Sequence, residues 1–221
     1  MSLVNMSDIR GMADVISQVE AAVARGENIL FRGPLGSCAT MIARRIPGIM
    51  PPMSLDEQRQ VRANRSQARL TFLLEGERPF RAPHHSCSIS AFTGVRLMGG
   101  REVPGEVTLA SRGVLFLDDL PEFRMAVIEE VFRGSEVGTM VVAYAALCPC
   151  GMKGTTRTCS CTPEVIERFE ARVGAFSGGF QTVVDAPYVT NEVRREGATC
   201  TSSEVIQARV VAARRAEGAT P

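Results

Sequence analysis

The 221-residue chain has no tryptophan, two tyrosines and two histidines, and almost no surplus of either charge. Lys and Arg total 25 against 24 for Asp and Glu, a formal charge of +1, and the pI is about 7.6. Bulk charge therefore does not advertise nucleic-acid binding, although a local basic surface stays open. No apolar run approaches the roughly 20 residues of a membrane span. The segment from Met1 to Arg10 lacks the apolar core of a signal peptide, so a cytoplasmic location is expected. His84 and His85 are the only histidines, adjacent after Arg78-Pro-Phe-Arg-Ala-Pro and without a carboxylate close in sequence. They read as structural or ligand-contacting loop residues before they read as a catalytic base or metal pair. Internal repeats and low-complexity segments are missing too. What remains is 45% hydrophobic and 22% charged, the composition of a globular chain able to bury a core, one domain or one and a half in length.

The most informative stretch is Gly33-Pro34-Leu35-Gly36-Ser37-Cys38-Ala39-Thr40, a phosphate-binding loop without its lysine. A plausible buried strand, Asn28 to Phe31, precedes it, and Met41 to Ile46 can open a helix behind it. That order lets backbone N–H groups and a helix start converge on phosphates. The pattern G-x-x-x-x-G-K-[ST] places its second glycine at Cys38 and its lysine at Ala39. Gly33 and the metal-side hydroxyl Thr40 survive. The scaffold indicates a nucleotide; the lost ammonium indicates weak or absent hydrolysis.

Around this loop the chain alternates. Apolar spacing at Val15, Ile16, Val19 and Val23 predicts a helix over 12–24 that stops at Gly26. Pro47, Pro51 and Pro52 break the chain after the loop helix. A capping box from Ser54 to Glu57 opens a polar helix to about Ala63. Residues 78–105 read as a strand and a long irregular connection. The runs 113–117 and 140–147 are strands buried on both faces, with a helix over 125–132 between them. Pro163 starts a helix after Thr162, a weaker strand covers 182–184, and Thr201 to Glu204 caps a last helix to about Ala216. Strands alternating with helices predict a parallel α/β sheet covered on both faces.

Two further clusters carry chemistry. Asp118 ends the strand 113–117 and Asp119 follows it, the Walker B arrangement. The first carboxylate would hold Mg²⁺ opposite Thr40 and the second would orient the attacking water. Asp119 is one methylene shorter than the glutamate usual there. Alone, the pair would read as a solvated acidic turn; with the loop upstream, the nucleotide reading prevails. Cys148-Pro-Cys150 and Cys159-Ser-Cys161 form two C-x-C pairs on a glycine-containing loop. Four thiolates there can close tetrahedrally on Zn²⁺; the alternatives are four reduced surface cysteines or two disulfides. Cys38, Cys87 and Cys200 read as ordinary thiols. Arg44 and Arg45, and also Arg168 and Arg172, read as solvated helix faces.

Taken in order, GPLGSCATMIARRIPGIMPP from Gly33, RPFRAPHH from Arg78, PGEVTLASRGVLFLDDLPEFR from Pro104, CPCG from Cys148 and CSCTPEVIERFEAR from Cys159 resemble the AAA+ module of the magnesium-chelatase-like ComM/YifB proteins. The resemblance runs from about Met6 to Glu217. It implies a three-layer αβα P-loop core over 1–221 with a parallel central sheet, ATP or ADP with Mg²⁺ at the loop, and assembly into a ring, either of this chain alone or with AAA+ paralogues. In the ComM branch it implies DNA branch migration during DNA uptake. The sequence departs from that pattern where the chemistry sits. Besides Cys38 and Ala39, the implied sensor asparagine is Ala146, and an implied Asp-Arg pair, suited to reach a neighbouring subunit, falls on Gly178 and Gly179. The hairpin before the sensor strand is shortened near Ser135 to Met140, and a flanking N-terminal domain and C-terminal helical lid are not among the matched segments. The expected function is an ATP-binding-type module with weak or lost hydrolysis. The alternatives are a non-enzymatic scaffold or regulatory subunit of a ring, and a degenerate fragment.

Overall fold

The computed structural model describes residues 4–71, 75–135, 138–216 and 218. Its regular elements, in chain order, are α1 (Ala13–Arg25), β1 (Ile29–Arg32), α2 (Ala39–Ala43), α3 (Leu55–Gln67), β2 (Phe80–Arg81), α4 (Ile89–Thr93), β3 (Val95–Arg96), β4 (Glu102–Val103), α5 (Glu106–Leu109), β5 (Val114–Leu117), α6 (Met125–Gly134), β6 (Met140–Ala145), α7 (Pro163–Phe176), β7 (Thr182–Asp185), α8 (Asn191–Glu196) and α9 (Ser203–Ala216). Five strands form one parallel sheet in the order β2-β5-β6-β1-β7. The pair β3–β4 is a separate antiparallel hairpin.

Side chains alternate across each strand, so a continuous apolar run feeds two cores. Ile29, Phe31, Val114, Phe116, Val142 and Tyr144 face one side, where α1, α2 and α9 cover them. Leu30, Leu115, Leu117, Val141, Ala143 and Ala145 face the other, under α4, α5, α6 and α7. The result is three layers, helix on sheet on helix. The expected stripe Val15, Ile16, Val19 and Val23 is the buried face of α1, and Gly26 caps it in a left-handed conformation at φ 70°. The capping box of Ser54 and Glu57 is present, and α3 outlasts its expected end by one turn because Arg65 and Gln67 continue without a breaker. Pro47 cuts the loop helix short, so α2 gives way to a 3₁₀ turn at Ile46–Gly48.

The segment 78–105 is more ordered than its composition suggests. Ser88 caps α4 by accepting the amide of Ala91, and the hairpin β3–β4 turns through Gly99 and Gly100 at φ 92° and 82°. Elements of two to five residues are too short to leave a periodicity. The shortened connection near Ser135 to Met140 includes residues 136–137, which lie outside the described residues. No helix among the described residues is long and apolar enough to cross a membrane.

Asn28 ties the start of the sheet. Its side-chain oxygen accepts the Val141 amide at 2.8 Å and its side-chain nitrogen donates to the Gly179 carbonyl at 3.0 Å. Replacing it leaves both partners short of a bond inside the sheet margin. Asn28→Ala is therefore expected to cost about 1–3 kcal/mol in urea unfolding; an unchanged midpoint would show that water replaces both bonds.

Candidate functional site

The loop 33–40 leaves the carboxyl end of β1, which pairs in parallel with β6 on one side and β7 on the other. Gly33 starts it because nothing else fits: a Cβ there would lie 2.3 Å from the Ala186 carbonyl oxygen and 3.0 Å from the Ser37 side chain. Three groups from elsewhere in the chain then fix the loop. The Tyr144 hydroxyl, on neighbouring β6, donates to the Gly33 carbonyl at 2.9 Å. The Leu35 amide donates to the Gly151 carbonyl at 3.1 Å. Arg194, from α8, donates to the Gly36 carbonyl at 2.8 Å. Within the loop, the Ser37 amide bonds the Pro34 carbonyl. Among the described residues no protein acceptor takes the amide hydrogens of Gly36, Cys38, Ala39 and Thr40.

These residues line a cleft of about 240 Å³ together with Leu35, Ser37, Met41, Tyr144 and Arg194. Cys38 holds φ 60°, the left-handed region that a glycine occupies without strain. Burial pushes its thiol pKa up. Ala39 is buried against the core, so a methyl group stands where the pattern requires an ammonium.

Asp118 follows β5 at the same carboxyl edge of the sheet, half-buried, and Asp119 is exposed with φ 56°. Burial first, and the Asp119 charge second, raise the Asp118 carboxyl above the usual carboxylate range. Tyr144 lies between the two clusters, because β6 separates β1 from β5. Burial, then the charges of Asp119 and Asp118, push its hydroxyl up to about 12, while a hydrogen bond with Ser37 opposes the rise. The loop and the acids thus share one electrostatic neighbourhood. Tyr144 and Arg194 escaped sequence reading; the only signal for Tyr144 was a polar tip inside an otherwise apolar strand, and Arg194 lies 158 residues from the carbonyl it holds.

The four clustered cysteines also converge. Their sulfurs all lie within 4.8 Å of one another, with Cys148–Cys150 and Cys150–Cys159 at 3.5 Å and Cys148–Cys159 at 3.7 Å. Zn–S bonds of about 2.3 Å in a tetrahedron imply S···S separations of about 3.8 Å, so the set matches a metal cage. None of the four is in a disulfide. Backbone amides of Met152 and then Ser160 draw the Cys150 thiol down to about 6. Cys159 and Cys161 go up: each accepts a backbone amide, which favours the thiolate, but desolvation and the crowded sulfurs outweigh it. A cation in the centre would relieve that crowding. The cluster is also the loop's neighbour, since Gly151, at φ 72°, has no room for a Cβ beside Leu35.

Other residues sort simply. Arg44 is exposed, its guanidinium 5.7 Å from the Phe80 ring, and Arg168 and Arg172 are exposed as expected. Arg45 corrects its expectation: it is buried, donating to the Asn5 and Met41 carbonyls and to the Asp8 carboxylate at 2.7–2.9 Å. The turn of Pro47 swings it from the helix face onto the N-terminal segment. Arg78 is buried on the Pro51 carbonyl and Arg81 forms a two-bond ion pair with Glu106, so the arginines of RPFRAPHH hold β2 in place. His84 bonds Ser86, and His85 meets the Phe123 ring edge-on at 6.2 Å. At Gly179 a side chain would run into the Phe132 ring, 2.2 Å from the Cβ position.

Comparison with known proteins agrees with the geometry. Residues 5–137 match the family model described as magnesium chelatase, subunit ChlI. The chain is 39% identical over 145 residues to competence protein ComM of Haemophilus influenzae, covering 64% of this chain and 28% of that protein. It is 31% identical over 229 residues to the uncharacterized protein YifB of Salmonella typhimurium, covering 95% of this chain and 44% of that one. The chain spans less than half the length of the curated relatives it matches. A structure of the complex between subunits BchI and BchD of magnesium chelatase superposes with a TM-score of 0.51 at 11% identity, over 98% of this chain and 71% of that one. At that identity the likeness concerns the fold, a three-layer AAA+ P-loop core. With the family model matching more than half of its residues, the chain belongs to the magnesium chelatase, subunit ChlI, family and is a homologue of ComM.

Proposed function

We propose that the chain is the nucleotide-binding module of a ComM-like AAA+ protein that holds ADP or ATP with Mg²⁺ and hydrolyses ATP slowly or not at all. The observation that carries this reading is the loop itself: four amides without protein acceptors surround a cleft in which the ammonium position is the buried methyl of Ala39. Residues 33–40 would cradle the phosphates through the backbone. Thr40 and Asp118 would hold the metal, and Mg²⁺ would favour the charged form of a carboxyl that burial otherwise raises. Asp119 would orient the water. Without the lysine the site loses charge-assisted hydrogen bonds worth roughly 1.5–3 kcal/mol each, and stabilisation of the charge that develops on phosphoryl transfer.

MgADP is expected to bind the unmodified protein in isothermal titration, with ATP turnover at background. The double change Cys38→Gly/Ala39→Lys is expected to tighten binding and bring turnover above background, since glycine relieves the left-handed strain at position 38. Turnover by the unmodified protein at the rate of that double variant would overturn the proposal.

A second reading follows from the Phe132 ring at Gly179. A subunit unable to place an arginine there, and lacking its own lysine, contributes shape to a ring of active paralogues and no catalysis. A stoichiometric mixed ring on co-purification with a full-length paralogue is the expected outcome of that reading; monomer or aggregate points to a degenerate fragment. DNA as a partner comes from the relationship to ComM alone.

The cysteine cluster is proposed as a closed structural zinc site of Cys148, Cys150, Cys159 and Cys161, with no position left for a catalytic water. Protein purified without chelator is expected to carry close to one equivalent of zinc by elemental analysis, and Cys159→Ser to lose it. Because zinc binds thiolates and protons compete for them, affinity should fall as pH falls. Chelation should also weaken MgADP binding, since Gly151 anchors Leu35. A few hundredths of an equivalent would end the zinc assignment.

A further inference from the structure

With Ala39 at the position where the pattern has a lysine, the cleft lacks the cation that a phosphate loop normally carries on itself. The chain's single lysine, Lys153, cannot substitute, because it pairs with Glu170 at 2.7 Å on the cysteine loop. Arg45 is spent on three hydrogen bonds to the N-terminal segment and α2. Among the described residues lining the cleft, Arg194 is the one charged side chain.

Its geometry is that of a placed group. Nη2 donates to the Gly36 carbonyl at 2.8 Å and Nε to the Val189 carbonyl at 3.2 Å, so two bonds fix the guanidinium over the middle of the loop. The glycine at 36 permits this approach: a Cβ there would lie 3.1 Å from Nη2 and 3.1 Å from the Tyr188 ring. A guanidinium has five N–H donors, and these bonds use two. Among the described residues no carboxylate lies within ion-pair distance of Arg194 to neutralise it. Its charge reaches into the loop, where it is the first influence opposing the rise that burial imposes on the Cys38 thiol. The planar fork suits phosphate oxygens, which accept two parallel hydrogen bonds from one guanidinium.

We propose that Arg194 supplies the positive charge missing from the loop, contacting the phosphates of a nucleoside di- or triphosphate from α8 while the amides of Gly36, Cys38, Ala39 and Thr40 hold them from below. The inference rests on the nucleotide reading of the loop. It differs from that reading in assigning the binding charge to a residue that is not part of the phosphate-loop pattern. The cation comes from the rim of the cleft and is exposed, so binding should weaken with added salt more than a buried contact would.

The test is MgADP titration of the full chain at low and moderate salt, with Arg194→Gln, Arg194→Lys and Arg194→Gln/Ala39→Lys alongside. Glutamine keeps a donor for the Gly36 carbonyl and removes the charge. It is expected to weaken MgADP about tenfold or more and to flatten the salt dependence. Lysine at 194 keeps the charge but not the fork and should fall between wild type and the glutamine variant, and Ala39→Lys should restore affinity in the glutamine background. Equal affinity in wild type and Arg194→Gln overturns the inference and leaves the nucleotide reading intact. Loss in both single variants without rescue by Ala39→Lys marks a purely structural contact and also overturns it. If wild type fails to bind while Cys38→Gly/Ala39→Lys binds, the inference alone falls. If neither binds, the nucleotide reading falls and takes the inference with it.

Discussion

The parallel pairing of β1 with β6 on one side and β7 on the other is the constraint on which the candidate site depends. Phe31 sits in register with Tyr144 and Val184, and Arg32 with Ala145 and Asp185. That double pairing fixes where the chain leaves the sheet, and the Gly33 amide continues it by bonding the Ala145 carbonyl at 3.2 Å. It also brings the Tyr144 hydroxyl to the Gly33 carbonyl and the Ala186 carbonyl against Gly33. A phosphate loop is a stretch of backbone that must turn sharply with its amides unclaimed. Here the turn is imposed by neighbours, and each tether comes from a different element: β6, the cysteine loop and α8.

This arrangement explains how the loop holds its shape without two residues of the phosphate-loop pattern. Backbone geometry depends on space and on the tethers, neither of which involves the side chain at 39. Catalysis of phosphoryl transfer depends on charge placed where charge develops, and the phosphate-loop pattern places that charge on its lysine. Shape and chemistry are therefore separable in this fold. Cys38 marks the boundary between them, since it accepts a left-handed conformation that costs an ordinary residue about 1–2 kcal/mol. The surrounding packing, with α2 buried against α1 and the sheet, holds it there.

The cysteine cluster belongs to the same argument. The connection after β6 carries four cysteine sulfurs and few apolar side chains, so it has little surface to bury in its own defence. Convergence of the sulfurs gives it a centre that packing does not. Through Gly151 and Leu35 that centre is joined to the loop 33–40, and through Lys153 and Glu170 to α7. One irregular segment thus ties the loop 33–40 to the helix layer on the opposite face of the sheet.

The sequence by itself determined the layer architecture, because apolar runs bounded by turn signals admit one economical burial pattern, with both faces of each strand covered. It also determined the loop, the acids at the end of β5 and the paired cysteines, since each is a local spacing whose chemistry depends on neighbours a few residues away. The family model matches residues 5–137, which hold the loop and the acids and end before the paired cysteines. Only the tertiary structure decided what surrounds them. Arg45 reads as a solvated face until the turn at Pro47 carries it inward, and α4 and the β3–β4 hairpin are too short to leave a period. Phe132 at the Gly179 position, Tyr144 under Gly33 and Arg194 over Gly36 involve partners 47, 111 and 158 residues apart. Contacts at such separation leave no trace in local spacing, because the register of strands and the packing of helices, not the order of residues, bring them together.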